Sequence, residues 1–353
     1  MRKLVTRVVL TLLLLVAVPL AGACTQPASE LTPGPSPTLT PTPEPELPKQ
    51  FVIVYSGSGK LGSISAYISE MLTKYTSMTG SVEKTAGPTA SIQMVAAGEA
   101  DATSYSGPSV RPSCIQEKIP LRLLFCGAGV STSTTIGIYT KPGAGINSIA
   151  DLKGKKVYAE KPSIVWMAPV MDALLAVNSM NRDDFDYLIF ASGTEAIRDL
   201  KEGRVDAVFY VAGRDTTEMG ESIGLFVIPF TPAEQKAVVD LGLGWESFNW
   251  PAGFFGNKVD TPVVAAPPPF YTGVDTDEYT AYTVVKTVYD HLTEFQNSQK
   301  AAQGYTLETA TAVWPFPYHP GAIKYFKEIG IWSAEHDAKQ TAALAEWERI
   351  IGK

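Results

Sequence analysis

Ala97-Gly98-Glu99-Ala100-Asp101-Ala102 and, later in the chain, Glu202-Gly203-Arg204-Val205-Asp206-Ala207 are two versions of one phrase. Each puts a glycine where an amphipathic helix stops, then an aspartate three residues on as an apolar strand begins. Glycine takes the left-handed position that ends a helix without a Cβ penalty. The aspartates read as structural cap or turn residues, with a ligand contact as the other reading. Two copies of a helix-to-strand joint predict two similar α/β lobes, and a cleft between lobes is a common place for a ligand.

Working outward, strands and helices alternate around both copies. Residues 51–55 form a short apolar run ending at Ser56-Gly57, which reads as a buried strand. Ile64, Ile68, Met71, Leu72 and Tyr75 recur at helical spacing. A strand at 81–85, a helix opening at Pro88, and strands at 100–105, 121–125 and 135–139 follow. The second copy has strands at 156–159, 187–190 and 205–211 with helices at 164–177 and 194–201. Such alternation predicts α/β architecture with largely parallel sheets. The apolar run at 263–266 and the triple proline at 267–269 are read as the return to the first lobe. Helices at 279–295, 319–329 and 334–350 complete that lobe. The expected division is 50–140 with 262–353 as lobe 1 and 141–261 as lobe 2.

The N-terminal residues have another character. Arg2, Lys3 and Arg7 precede an apolar run at 8–20 that is short for a membrane span and fits an export signal. Leu20-Ala21-Gly22-Ala23-Cys24 is similar to a bacterial lipobox, with the leucine displaced by one position. Residues 1–23 are thus read as a lipoprotein-type signal peptide with Cys24 as the lipidated residue. An ordinary signal cut near Ala23 is the other reading. Residues 24–49 are rich in Pro, Thr, Ser and Glu with little apolar surface to bury, which makes an extended tether. The chain is expected outside the cytoplasm, in the periplasm or on the outer face of the cell membrane.

Composition excludes several classes. A net charge of −7 and the lack of a basic cluster interleaved with aromatics argue against nucleic-acid binding. The three histidines, His291, His319 and His336, form no metal-ligand pattern, so neither a metal nor another cofactor is expected. No G-x-S-x-G elbow is present, so no catalytic residue is assigned and no enzyme is expected. Cys114 and Cys126 are either a disulfide or two buried thiols.

Candidate binding residues sit at strand-to-helix joints. Ser58, Lys60, Leu61 and Ser63 follow the first strand, where helix N–H groups can approach an anion, or where the small residues form a plain turn chosen for tight packing. The stretch fails as a phosphate-binding P-loop, because Val54 and Leu61 occupy motif positions. Thr89 and Ser91 open the second helix, and Lys161 and Ser163 are placed at the opening of the second lobe's helix. Lys161 is a ligand cation or a solvated surface lysine. Trp166 either closes over a ligand or packs. Arg214 follows a second-lobe strand on its cleft side and either clamps a carboxylate or pairs at the surface.

Pro315-Phe316-Pro317-Tyr318-His319-Pro320-Gly321-Ala322-Ile323-Lys324-Tyr325-Phe326-Lys327-Glu328-Ile329-Gly330 resembles the P-x-H-P-G-A-x-x-Y/F-x-E-x-G signature of one protein family. That family is the TAXI-type solute-binding subunits of tripartite ATP-independent periplasmic (TRAP) transporters. Asp151-Leu152-Lys153-Gly154-Lys155-Lys156-Val157 is similar to its D-L-K-G-K-x-V, and Gly203-Arg204-Val205-Asp206-Ala207 to its G-x-x-D-A. Pro251-Ala252-Gly253 with Thr261-Pro262 is similar to its I-P-A-G-x-Y…T stretch. The resemblance covers most of residues 51–332. It implies a type II periplasmic-binding-protein fold, a cleft that closes on a small carboxylate, and docking onto a TRAP membrane permease. A ligand-binding sensor presenting its closed form to a signalling partner is the alternative on the same fold. The departures fall in the expected site. The family's T-G-S-T-G-G-T-Y-Y, G-S-x-x-N and G-x-x-G-S-G-T loops are replaced by stretches carrying Lys60, Leu61, Pro88 and Trp166. Glutamate is therefore not carried over, and a bulkier, partly apolar or aromatic carboxylate is expected.

Overall fold

The computed structural model describes residues 45–55, 59–129, 133–212, 216, 222, 224–253, 257–314 and 316–352. The expected signal peptide, Cys24 and nearly all of the tether lie outside them, as do Ser58 and Arg214. Pro45–Lys353 is one compact unit.

Lobe 1 begins with β1 (Gln50–Tyr55), α1 (Gly59–Tyr75), β2 (Thr79–Lys84), α2 (Pro88–Ala96), β3 (Ala102–Ser104), α3 (Gly107–Glu117) and β4 (Leu121–Cys126). The chain crosses to lobe 2 for β5 (Thr134–Thr140), β6 (Lys156–Glu160), α4 (Met167–Val177), β7 (Asp186–Ile189), α5 (Gly193–Glu202) and β8 (Ala207–Val211). There follow β9 (Phe226–Val227), α6 (Pro232–Val239), β10 (Glu246–Trp250) and β11 (Thr261–Ala266). It then returns for β12 (Pro269–Gly273), α7 (Glu278–Asp290), α8 (Leu292–Ser298), α9 (Pro320–Glu328) and α10 (Ala334–Ile351).

The first sheet has the order β2-β1-β3-β12-β4 and the second β10-β11-β5-β8-β6-β7, with β9 on β5. Each has a parallel core, β2-β1-β3 or β7-β6-β8, flanked by an antiparallel strand that has just crossed from the other lobe: β12 in one, β5 in the other. Each sheet lies in its own apolar core. Two such sheets joined by two crossings, β4 to β5 and β11 to β12, are the type II periplasmic-binding-protein arrangement.

The repeated phrase has the same geometry twice. Gly98 and Gly203 take φ of +72° and +76°. The Asp101 carboxylate accepts from the Val52 N–H at 2.7 Å, and Asp206 accepts from Lys156 N–H at 2.8 Å. The aspartate N–H groups return the bond to the Val52 and Lys156 carbonyls. Thr272 on β12 and Thr140 on β5 donate to the Asp101 and Asp206 carbonyls. Each aspartate therefore ties the start of its sheet's third strand to the first strand and to the crossing strand.

The lobe boundaries differ from the expectation. β5 pairs with β8 and β11, so residues 134–140 belong to lobe 2. β11 pairs with β5 and β10, so residues 262–266 belong there as well. The breaks lie at 127–133 and 267–268. A strand's sheet is decided by its hydrogen-bond partners, and those of β5 are remote in sequence. The sequence reading also omits β12 and α3. Pro269 occupies the first residue of β12, a ladder position where a missing N–H is tolerated. α3 carries Pro108 and an internal Pro112, and it buries Arg111, Ser113 and Cys114, so it lacks an apolar stripe. Cys114 and Cys126 are free thiols. Burial pushes the Cys114 thiol up to about 12 and Cys126 well above its usual range.

The residues carrying the C-terminal resemblance pack lobe 1. His319 caps α9: its Nδ1 accepts from the Gly321 N–H at 3.1 Å, and its Nε2 meets the Thr276 carbonyl at 2.9 Å. A Cβ on Gly321 would stand 2.2 Å from the Glu278 carbonyl oxygen, so this glycine lets α9 lie directly on α7.

Candidate functional site

In sheets of this kind ligands bind at the carboxyl ends of the parallel strands. Tyr55 and Ser104 are register partners at the ends of β1 and β3, so the joints leading into α1 and α3 are adjacent. The start of α3 touches lobe 2: a Cβ on Gly107 would lie 3.1 Å from the Leu243 carbonyl and 3.7 Å from the Gly244 Cα. Trp166, at the end of the β6–α4 loop, donates its indole N–H to the Ser109 hydroxyl at 3.2 Å. These contacts bring the carboxyl ends of β1 and β3 opposite that of β6 and define the candidate cleft.

On the lobe 1 side, α1 opens at Gly59. Gly62 fits against the Tyr55 ring, where a Cβ would come within 2.6 Å, so the helix sits hard on the strand end. Lys60 is half-buried in the first turn. Among the described residues its ammonium has no ion-pair partner, and burial lowers its pKa from the ordinary lysine value. Leu61 is half-buried beside it. Ser63 is exposed; its hydroxyl meets the Gln299 amide oxygen at 2.5 Å and the Lys60 carbonyl at 3.0 Å. Gln299 comes from the far C-terminal part of the chain, and no sequence signal links it to Ser63.

Thr89 and Ser91 have other engagements. Thr89 shares a 3.0 Å hydrogen bond with Ser113 and ties α2 to α3. Ser91 is buried and bonded to the Thr85 hydroxyl at 2.6 Å, so it holds the β2–α2 loop together. Its hydroxyl points into the protein.

On the lobe 2 side, α4 starts at Met167, three residues later than expected. Pro169 fits a first turn and would lose a hydrogen bond deeper in the helix. Lys161 and Ser163 lie in the preceding loop, and the N–H groups that open the helix are one turn further on. Lys161 is half-buried and Ser163 exposed. Trp166 is 2% exposed, with its ring edge-on to Trp245 at 5.0 Å and to Phe209 at 6.2 Å. It packs within lobe 2 while its N–H reaches lobe 1. Tyr210, at the end of β8, covers Gly193 of α5 as Tyr55 covers Gly62. Phe190 adjoins it at 5.4 Å. Tyrosines at strand ends paired with glycines at helix starts could have been read from the sequence as a site feature.

Among the described residues no cluster of three or more His, Cys, Asp or Glu side chains is placed to hold a metal ion, and no helix is long and apolar enough to cross a membrane. The arrangement offers the half-buried Lys60 ammonium, the N–H groups that open α1, the exposed Ser163 hydroxyl and the Tyr55 and Tyr210 rings.

A model of the NMT1-like family matches residues 61–330, and the chain belongs to that family. Solved structures of similar shape include the periplasmic aliphatic sulphonate binding protein SsuA from Escherichia coli. It shares 14% identity at a TM-score of 0.47, over 87% of this chain and 89% of that one. PhnD1 from Prochlorococcus marinus, in complex with methylphosphonate, shares 12% identity at a TM-score of 0.47, over 72% of this chain and 88% of that one.

Proposed function

We propose that this NMT1-like protein is an extracytoplasmic solute-binding protein that encloses a small organic anion between its lobes and delivers it to a membrane transporter. The observation that carries this reading is Lys60, a half-buried ammonium without a carboxylate partner among the described residues, at the first turn of the helix that follows β1. Burying a charge is costly unless it is paired. An anionic solute would supply the partner, and the N-terminus of α1 would add its partial positive charge. The Tyr55 and Tyr210 rings at the strand ends favour a solute with an apolar or aromatic part beside its carboxylate.

Finer parts of the reading rest on the sequence. The apolar leader before Cys24 supports export and a lipid anchor. The resemblance at residues 315–330 supports a TAXI-type role with a TRAP permease as partner, although these residues serve packing in lobe 1.

The test is a thermal-shift screen of Pro45–Lys353 against carboxylates, sulphonates and phosphonates of graded size. A solute at a hundred times its Kd adds roughly 2.7 kcal/mol of stability. Shifts from anions with an apolar or aromatic part are expected. A response confined to neutral or cationic solutes would overturn the anion assignment, and one confined to short, fully polar acids would overturn the size assignment.

A further inference from the structure

We propose that the first turn of α3 is a positioning element for solute capture, a latch on lobe 1 that seats on lobe 2 and sets the population of the closed form. The inference rests on the solute-binding reading only for its purpose; the latch itself is read from geometry.

Three observations converge on it. The Trp166 N–H to Ser109 hydroxyl bond joins the lobes directly at 3.2 Å. Gly107 faces the Leu243 carbonyl and Gly244 so closely that even a methyl group would press between the lobes. Gly244 itself has φ of +90°, so the seat is backbone against backbone, with glycine on both sides. The third is rigidity on either side of the contact. In lobe 1, Arg111 is anchored to Glu346 of α10 and lies over the Trp347 ring, and Ser113 is bonded to Thr89 of α2. In lobe 2, Trp166 is held edge-on between Trp245 and Phe209. A contact between two rigidly held groups can form in one relative orientation of the lobes and is lost when they separate. Because Thr89 begins α2 and Trp166 ends the β6–α4 loop, the latch connects elements that open onto the candidate cleft from both sides.

The test needs no solute. In the full-length chain, spin labels on Glu83→Cys of lobe 1 and Asp186→Cys of lobe 2, both exposed positions, report the distance between lobes. Cys24 is replaced by serine, and the two remaining native thiols, Cys114 and Cys126, are buried with raised pKa and do not compete for label. Electron–electron resonance is expected to show a dominant short-distance population. Ser109→Ala should lower the closed-to-open ratio about fivefold, the effect of one hydrogen bond. Trp166→Phe should do the same, and the double variant should add little, because both remove one bond. Gly107→Val should shift the ratio further. Unchanged distances in Ser109→Ala, or independent and additive effects of Ser109→Ala and Trp166→Phe, would overturn the latch. Ser109→Ala decides the matter even if Gly107→Val does not fold. A solute screen without response would leave these distances unaffected, so the two readings fail separately.

Discussion

Replacing Gly321 by alanine tests the packing that underlies the C-terminal motif. A Cβ at this position would lie 2.2 Å from the Glu278 carbonyl oxygen, 2.6 Å from the Tyr282 nitrogen and 3.0 Å from the Ala281 Cβ. Favourable contact begins at about 3.5 Å, so α9 must move more than about 1 Å away from α7. Two of the three obstructing atoms are backbone, which no side-chain rotation can clear. The movement would also pull on the His319 cap, whose Nδ1 accepts from the Gly321 N–H. Overpacking costs about 1–3 kcal/mol, and the backbone character of this clash puts it at the upper end, near 3 kcal/mol. For a body of this size each kcal/mol lowers Tm by roughly 2 °C, so a fall of about 6 °C is expected. The assay is thermal unfolding followed by circular dichroism. Gly59→Ala is the control: Gly59 begins α1 with nothing within 4 Å of its Cβ position, so this change should be neutral or slightly stabilising. A Gly321→Ala protein melting with the wild type would refute the close helix contact and the packing role of the motif.

Lys60→Met should weaken binding of any responding anion about 10- to 100-fold, the range of a charged hydrogen bond, while leaving the solute-free protein as stable or more so because a buried charge is removed. Titration calorimetry and melting curves together check this, and unchanged affinity would remove Lys60 from the site. Asp101→Ala should cost about 1–3 kcal/mol in denaturant unfolding, since it strands the part-buried Val52 N–H, and Asp206→Ala less, because Lys156 is exposed and water takes over its N–H; no loss of stability in Asp101→Ala would refute its role in tying β3 to β1. Burial holds His319 below its ordinary 6.5, against the opposing pull of the Thr276 carbonyl. The unfolded state therefore binds the proton more readily. Stability is complete above the unfolded value of 6.5 and declines as pH falls from there through the lower folded value. His319→Asn should flatten that decline, and an identical pH slope in wild type and variant would show that another group is responsible.

Much of this architecture follows from local patterns in the chain. The phrase repeated at Asp101 and Asp206 announces two similar lobes because a helix end, a left-handed glycine and a strand start are short-range features. The parallel cores, with α1, α2 and α5 between their strands, follow from apolar periodicity for the same reason. Lys60 was legible as a cation at a helix start. The tertiary geometry was needed wherever the determining partner is distant in sequence. Residues 134–140 look the same in either lobe until Val211 and Ala207 pair with them. α3 carries two prolines and buries an arginine, so its helical state is supported by contacts with α10 and α2 and is invisible to periodicity. Ser91 and Ser63 are both hydroxyls near helix starts, yet one turns inward to Thr85 and the other reaches Gln299. Trp166 has the same sequence neighbours whether it covers a solute or bonds to Ser109, and only the approach of the two lobes decides between them. Local backbone preference acts over a few residues and is written in the chain itself. The cleft and its latch are made of contacts between segments that meet only after both sheets have formed.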